Sequence, residues 1–227
     1  MLLLFDIDGT LLLKAAAEHR DALYEAVREV WGVSDPAAVP VEAAGRTDTE
    51  IARHICLLSG VPSDAVDARM DEFRTACVAA YARRVPDDIS ERVAPGVEAL
   101  LEELAAREGT ILSLVTGNLE PVARLKLERA GIGRHFARGQ GAFGSDSEER
   151  AALPAIARRR AGEPGRPYPR ERTVIIGDTP RDIACARADG VHTLALATGP
   201  YAADELAGAD AVLASAAELP SALAALV

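Results

Sequence analysis

The chain opens Met1-Leu2-Leu3-Leu4-Phe5-Asp6-Ile7-Asp8-Gly9-Thr10. An apolar run that ends in two acids and a glycine reads as a short, fully buried strand delivering polar groups at its carboxyl end. A secretory leader would also begin with an apolar run. This one has no basic start and meets Asp6 and Asp8 at once, so a leader is not expected.

Beyond the strand the pattern changes. From about residue 15 to 85 the apolar spacing is helical. In Ala22-Leu23-x-x-Ala26-Val27-x-x-Val30-Trp31 the residues recur at helix intervals, and Gly32 follows as a stop. A second helix is predicted from near Thr47 and a third over residues 63–84, with no convincing strand between. Pro95-Gly96 opens another helix over 97–107. After it, strand-like segments at 111–115, 136–143 (weak), 174–176, 193–196 and 211–213 alternate with helices at 120–130, 149–160, 183–188 and 216–226. Residues 162–172, rich in Pro, Gly and Arg, read as a surface loop. Strands alternating with helices imply a parallel sheet covered on both faces. The expectation is an α/β fold, a doubly wound parallel sheet formed by residues 1–13 and 94–227, interrupted by an all-helical insert at 14–93. In such sheets ligands bind at the carboxyl ends of the strands.

Composition narrows the class. The 227 residues are 49% hydrophobic and 26% charged, ordinary for a globular protein. No apolar run approaches the roughly 20 residues that span a bilayer. A formal net charge of −10 repels nucleic-acid phosphates and anionic lipids, so neither nucleic acid nor membrane is expected as a partner. A local pocket for a small anion is compatible with it. Cys56, Cys77 and Cys185 are odd in number and widely spaced, which suits buried thiols in a reducing compartment, the cytoplasm.

Three expected strand ends carry polar clusters. Asp6 and Asp8 leave the first strand at i and i+2 and project into one crevice. Thr116-Gly117-Asn118 follows the strand at 111–115, and Gly177-Asp178-Thr179-Pro180-Arg181-Asp182 follows the one at 174–176. Taken singly, each has an ordinary explanation as a turn or a helix start. Together they gather Asp6, Asp8, Asp178 and Asp182 at one rim of the sheet. Two carboxylates about 4 Å apart repel by about 4 kcal/mol at an effective dielectric near 20. Several such pairs require a divalent cation, and hard oxygen ligands with room for water and phosphate favour magnesium.

These motifs resemble the phosphatase branch of the haloacid dehalogenase superfamily. The matching elements are Asp6-x-Asp8-Gly9-Thr10, Thr116-Gly117-Asn118, a later basic residue, and Gly177-Asp178-x-x-x-Asp182, in order and across nearly the whole chain. The helical insert falls where this superfamily carries its type 1 cap, and phosphoglycolate phosphatases are the nearest well-known relatives in architecture. The resemblance implies a Rossmann-like core and a magnesium-dependent phosphohydrolase acting on a small phosphorylated metabolite through an aspartyl-phosphate. It implies Asp6 as nucleophile and metal ligand, and Asp8 as the acid–base residue with its backbone carbonyl on the metal. Thr116, Gly117 and Asn118 would hold phosphoryl oxygens, and Asp178 would bind magnesium. Asp8, absent from the true dehalogenases, points to phosphate rather than halide chemistry.

One element departs from the superfamily, whose third motif is usually a lysine. No lysine lies between Lys126 and the C-terminus. Arg150 stands at about the right separation from Asp178, with Arg158 or Lys126 as substitutes and Asp182 as its orienting partner. A guanidinium is permanently charged and can bind a phosphoryl group and a carboxylate together. In the insert, Arg46 is a candidate substrate contact, although Thr47-x-x-Glu50 beside it reads as a capping box. His19, His54, His135 and His192 show no ligand spacing and read as ordinary core or surface residues. Two other functions stay open: a sugar-phosphate phosphomutase using the same catalytic residues, and a catalytically silent ligand-binding module on this fold.

Overall fold

The computed structural model describes residues 1–226; Val227, the last residue of the expected core segment, lies outside them. The opening apolar run forms β1 (Leu2–Phe5), with every side chain buried. It is central in a six-stranded sheet that also contains β2 (Ile111–Thr116), β3 (Ala142–Phe143), β4 (Thr173–Gly177), β5 (His192–Leu196) and β6 (Ala211–Leu213), in the order β3-β2-β1-β4-β5-β6. All pairings are parallel.

Alternation along the strands sorts the core into two layers. Leu3, Phe5, Leu112, Leu114, Val174 and Ile176 face α5 (Val97–Ala106), α6 (Glu120–Arg129) and α9 (Leu219–Ala225). Leu2, Leu4, Val115 and Ile175 face α7 (Leu153–Ala161) and α8 (Pro180–Asp189). The chain winds from β1 outward to β3, then crosses to β4 and winds the other way. Register sets the site: Phe5 lies opposite both Leu114 and Ile176, so the three polar clusters leave the sheet at one rim.

Between β1 and α5 lie only helical elements among the described residues: α1 (Ala17–Trp31), α2 (Asp48–Leu58), α3 (Ser63–Ala68), α4 (Met70–Arg84) and short 3-10 turns. α1 buries Ala22, Leu23, Ala26, Val27 and Val30, a stripe at helical spacing, and stops at Gly32 with φ 71. It packs along α4, and Trp31 stacks on Phe73 with centroids 5.4 Å apart.

Local expectations shift in several places. The strand expected over 136–143 pairs only at Ala142–Phe143, because Arg124 takes up the carbonyls of Phe136, Ala137 and Gln140. The helix expected over 63–84 breaks at Arg69, whose guanidinium is held by Glu72 and the Val30 carbonyl. Proline delays two helices: residues 150–152 and 216–218 form 3-10 turns, and α7 and α9 begin with Pro154 and Pro220 in their first turns. The helix expected over 183–188 is longer and starts at Pro180. Cys56, Cys77 and Cys185 are buried free thiols, and no helix among the described residues is long and apolar enough to cross a membrane.

Candidate active site

β1 and β4 supply the acidic half of the site. Gly9 has φ +89, and a Cβ built on it would lie 2.1 Å from Asp178 Oδ2. On the other side a Cβ on Gly199 would lie 1.7 Å from the same oxygen. The Asp178 carboxyl therefore occupies a slot between two glycine backbones, where it accepts a 3.1 Å hydrogen bond from Thr10 Oγ1. Carboxylate oxygens of Asp6, Asp178 and Asp182 all lie within 4.8 Å of one another, and all three residues are buried.

One cation faces this cluster. Arg150, 7% exposed, donates to Asp182 and lies 3.4 Å from Asp6 Oδ1. Asp182 also accepts the backbone N–H and hydroxyl of Thr179, closing a capping box on α8. Its carboxylate is thus spent on Arg150 and the helix, leaving Asp6 and Asp178 short of positive charge. Burial, with Asp182 and Asp8 adding repulsion against the pull of Arg150, pushes Asp6 up to about 6. Burial, then Asp6 and Asp182, push Asp178 up to about 8. Carboxyl groups so raised are held without enough compensation by the protein itself. Among the described residues, Arg150 Nε and Asn118 Oδ1 are buried without a hydrogen-bond partner. Hard oxygen donors, uncompensated charge and these orphaned groups together fit a divalent cation and a phosphoryl group.

Asp8 belongs to the other half. Its oxygens are held by Lys126 Nζ at 2.8 and 2.6 Å, and Oδ2 also by Asn118 Nδ2 at 3.0 Å. Burial alone would raise its pKa; Lys126, with the Lys126 and Asn118 hydrogen bonds, outweighs burial and holds it below the usual range. Thr116 Oγ1 accepts from the backbone and side-chain N–H of Asn118, at 3.3 and 3.1 Å. Lys126 is fully buried, and its amine also reaches His19 Nδ1 at 3.1 Å. His19 Nε2 lies 3.0 Å from Asp48 Oδ2, which accepts the Leu119 N–H at 2.7 Å.

Three of the four acids expected at this rim form the close cluster, and Asp8 lines the same cavity beside it. Asp8 leaves the same loop, but its carboxylate is held by Lys126 and Asn118. Lys126 stands against Asp8 rather than taking the place expected of Arg150, and Arg158 pairs with Asp189. Gly117 meets the helical insert: its carbonyl accepts the Asp48 N–H at 2.9 Å, and a Cβ on it would lie 2.0 Å from the Arg46 carbonyl. Arg46 lines the cavity, but its guanidinium is engaged by Glu50 and the Glu42 carbonyl. Thr47 caps α2 through the Glu50 N–H. The cavity measures about 350 Å³, with Asp6, Asp8, Asn118, Arg150 and Asp178 on the sheet side and Leu23, Tyr24 and Ile51 on the insert side.

Sequence reasoning passed over His19 and Asp48 and gave Lys126 only as a substitute for Arg150. A signal was present in the helix faces. Lys126 shares a stripe with Val122, Ala123 and Leu127, and His19 shares one with Ala22, Leu23 and Ala26. A polar residue in a buried stripe demands a partner. Asp48 has no such mark, because an acid in the first turn of a helix is ordinary.

Comparison with known proteins adds an independent line. The sequence profile of the haloacid dehalogenase-like hydrolases matches residues 3–187. A curated phosphoglycolate phosphatase of Rhodospirillum rubrum is 31% identical over 199 residues, covering 86% of this chain and 79% of its own length. A hydrolase of Pseudomonas syringae superposes with TM-score 0.67 at 19% identity, over 98% of this chain and 97% of that one. CbbY of Rhodobacter sphaeroides, solved with phosphate, gives 0.61 at 22% identity, over 96% and 95%. A candidate β-phosphoglucomutase of Bacteroides vulgatus gives 0.66 at 20% identity, over 99% and 88%.

Proposed function

The chain belongs to the haloacid dehalogenase-like hydrolase family, and on that premise we propose that it is a magnesium-dependent phosphatase of a small phosphate monoester. The curated phosphoglycolate phosphatase among its relatives supports this substrate class. In this reading residues 1–13 and 94–227 form the catalytic core, residues 14–93 form a cap over the substrate, and the enzyme works in the cytoplasm, where its buried thiols stay reduced. The observation that carries it is the contrast between two acids of one loop: Asp6 beside Asp178 and Arg150, Asp8 beside Lys126 and Asn118.

Asp6 attacks phosphorus, a bond forms between its carboxylate oxygen and the phosphoryl group, and the ester P–O bond breaks. Asp8 gives its proton to the departing alkoxide. It takes that proton up as the substrate dianion enters, since a second negative charge nearby favours the neutral carboxyl. The Asp8 carboxylate then accepts a proton from water, whose oxygen attacks the phosphoryl group and frees phosphate and Asp6. Arg150 and the Thr116 hydroxyl hold phosphoryl oxygens, Asn118 keeps Thr116 and Asp8 in place, and Gly117 brings its backbone beside them. Asp182 keeps Arg150 in place, and Arg46 contacts the substrate from the cap. A magnesium ion held by Asp6, Asp178 and the Asp8 carbonyl would offset the charge of phosphate and nucleophile together. The insert excludes bulk water over the reacting groups.

A screen of phosphorylated metabolites with magnesium is expected to release inorganic phosphate from small monoesters, and EDTA is expected to abolish release. Asp6→Asn is expected to lose at least about 10³-fold in kcat, as for removal of a nucleophile. Full turnover by that variant, or indifference to EDTA, would refute the assignment. A hexose 1-phosphate in the same screen separates the phosphomutase alternative, which would yield isomerised sugar phosphate.

A further inference from the structure

We propose that Lys126 and His19 are positioning residues for Asp8, joined through Asp48 into a chain of contacts that begins and ends on the core and passes through the helical insert. The inference rests on Asp8 being the acid–base residue of the phosphatase reading.

Hydrogen-bond capacity fixes the direction of the chain. A lysine ammonium has three N–H donors and no acceptor. Those of Lys126 face Asp8 Oδ1 at 2.8 Å, Asp8 Oδ2 at 2.6 Å and His19 Nδ1 at 3.1 Å. Nδ1 must therefore be the accepting nitrogen, which leaves the ring proton on Nε2, aimed at Asp48 Oδ2 3.0 Å away. That oxygen also accepts the Leu119 N–H at 2.7 Å, at the N-cap of α6, the helix that carries Lys126. Lys126 is 0% exposed and His19 7%. Neither head group has water to fall back on, so each is held by its partners.

Topology gives these contacts their meaning. Asp8, Leu119 and Lys126 belong to the core; His19 on α1 and Asp48 on α2 belong to the insert. Two junctions, Lys126 to His19 and Asp48 to Leu119, cross between the two. The Lys126 amine is oriented toward Asp8 only while His19 occupies its third donor, and His19 is turned by Asp48. Seating the insert thus aims the acid–base carboxylate, and withdrawing it breaks both junctions. Asn118 supplies the remaining contact to Asp8 from the core side, so the carboxylate is fixed from two directions.

The experiment is a double-mutant cycle on the magnesium-loaded enzyme with p-nitrophenyl phosphate, with kcat and KM separated. Lys126→Met is expected to lower kcat about 10²-fold, as for a misaimed catalytic group, with KM within about twofold. In an Asp8→Asn background the same substitution is expected to cost less than about twofold, because nothing remains to position. Equal losses in the two backgrounds, or no loss in the wild type, would overturn the proposal. Lys126→Met leaves the half-buried Asp8 carboxylate without its cation and can fail to fold, so a second pair of variants carries the test independently. His19→Leu is expected to lower kcat about tenfold, as for an outer partner of a functional ligand. His19→Gln, which can accept from Lys126 and donate to Asp48, is expected to stay within about threefold of wild type. Wild-type turnover in His19→Leu, or no recovery with Gln, sinks the idea. Asp6→Asn run alongside keeps the failures apart: if it turns over normally the phosphatase reading falls, and if it is dead while the cycle is additive only the positioning role falls.

Discussion

Asp6 and Asp8 leave β1 two residues apart on one loop, yet they meet opposite surroundings. Asp6 enters a cluster in which three carboxyl groups share a single guanidinium, and its affinity for protons rises. Asp8 enters a cluster in which Lys126 and Asn118 hold its carboxylate, and its affinity falls. Asp8 is therefore paired with a cation of the protein, while Asp6 and Asp178 are left short of positive charge. The three acids of the first half could hold a cation. In the proposed mechanism a bound cation would keep the first acid ionised as nucleophile, and the charge of the entering phosphate would let the second carry a proton.

Removing Asp178 should break the contrast most strongly. Asp178→Asn is expected to lower magnesium-dependent kcat by at least about 10³-fold and to abolish the rise in Tm that magnesium gives the wild type. Thermal scans with and without magnesium, beside steady-state kinetics, check both effects. An unchanged Tm shift would remove Asp178 from the metal site.

The two halves should also respond to pH with opposite sign. Asp6 and Asp178 have folded pKa values near 6 and 8, above the ordinary value of 3.8. Without metal the folded state binds more protons than the unfolded state between these values, so their contribution is most favourable below about pH 4 and is lost as pH rises toward 8. Asp8 is depressed, so its contribution is present above about pH 4 and lost as pH falls further. Urea denaturation of metal-free protein should therefore show stability falling by a few kcal/mol between about pH 5 and 8, and magnesium should oppose the fall. The same titration on Asp178→Asn should keep only the Asp6 part of the fall, up to about pH 6, and be nearly flat above it. A wild-type curve that rises over this range would contradict the charge balance described here.

A smaller effect sharpens the comparison at the junction with the insert. In Gly117→Ala the new Cβ would meet the Arg46 carbonyl at 2.0 Å, so core and insert must separate locally. Overpacking of this kind costs about 1–3 kcal/mol. The expectation is a lower Tm and a raised KM with kcat less affected. Wild-type values for both would mean that the close approach of residues 46 and 117 is dispensable.

The parts of this protein written into its sequence are those governed by local pattern. The buried strand before Asp6, the strand–helix alternation after Pro95, and the polar clusters at residues 6–10, 116–118 and 177–182 depend on spacing and turn chemistry, which act between near neighbours. Parallel pairing then places the three clusters at one rim, since strand ends are the only place the chain can present them. Which acid faces which cation depends on packing between segments far apart in the chain. Asp8 meets Lys126, and Lys126 meets His19, only once α6 and α1 are docked, at sequence separations of 118 and 107 residues. Such contacts leave no local trace beyond a polar residue in an apolar stripe. Tertiary structure alone decided that one acid of the pair meets a lysine and the other a cluster of acids.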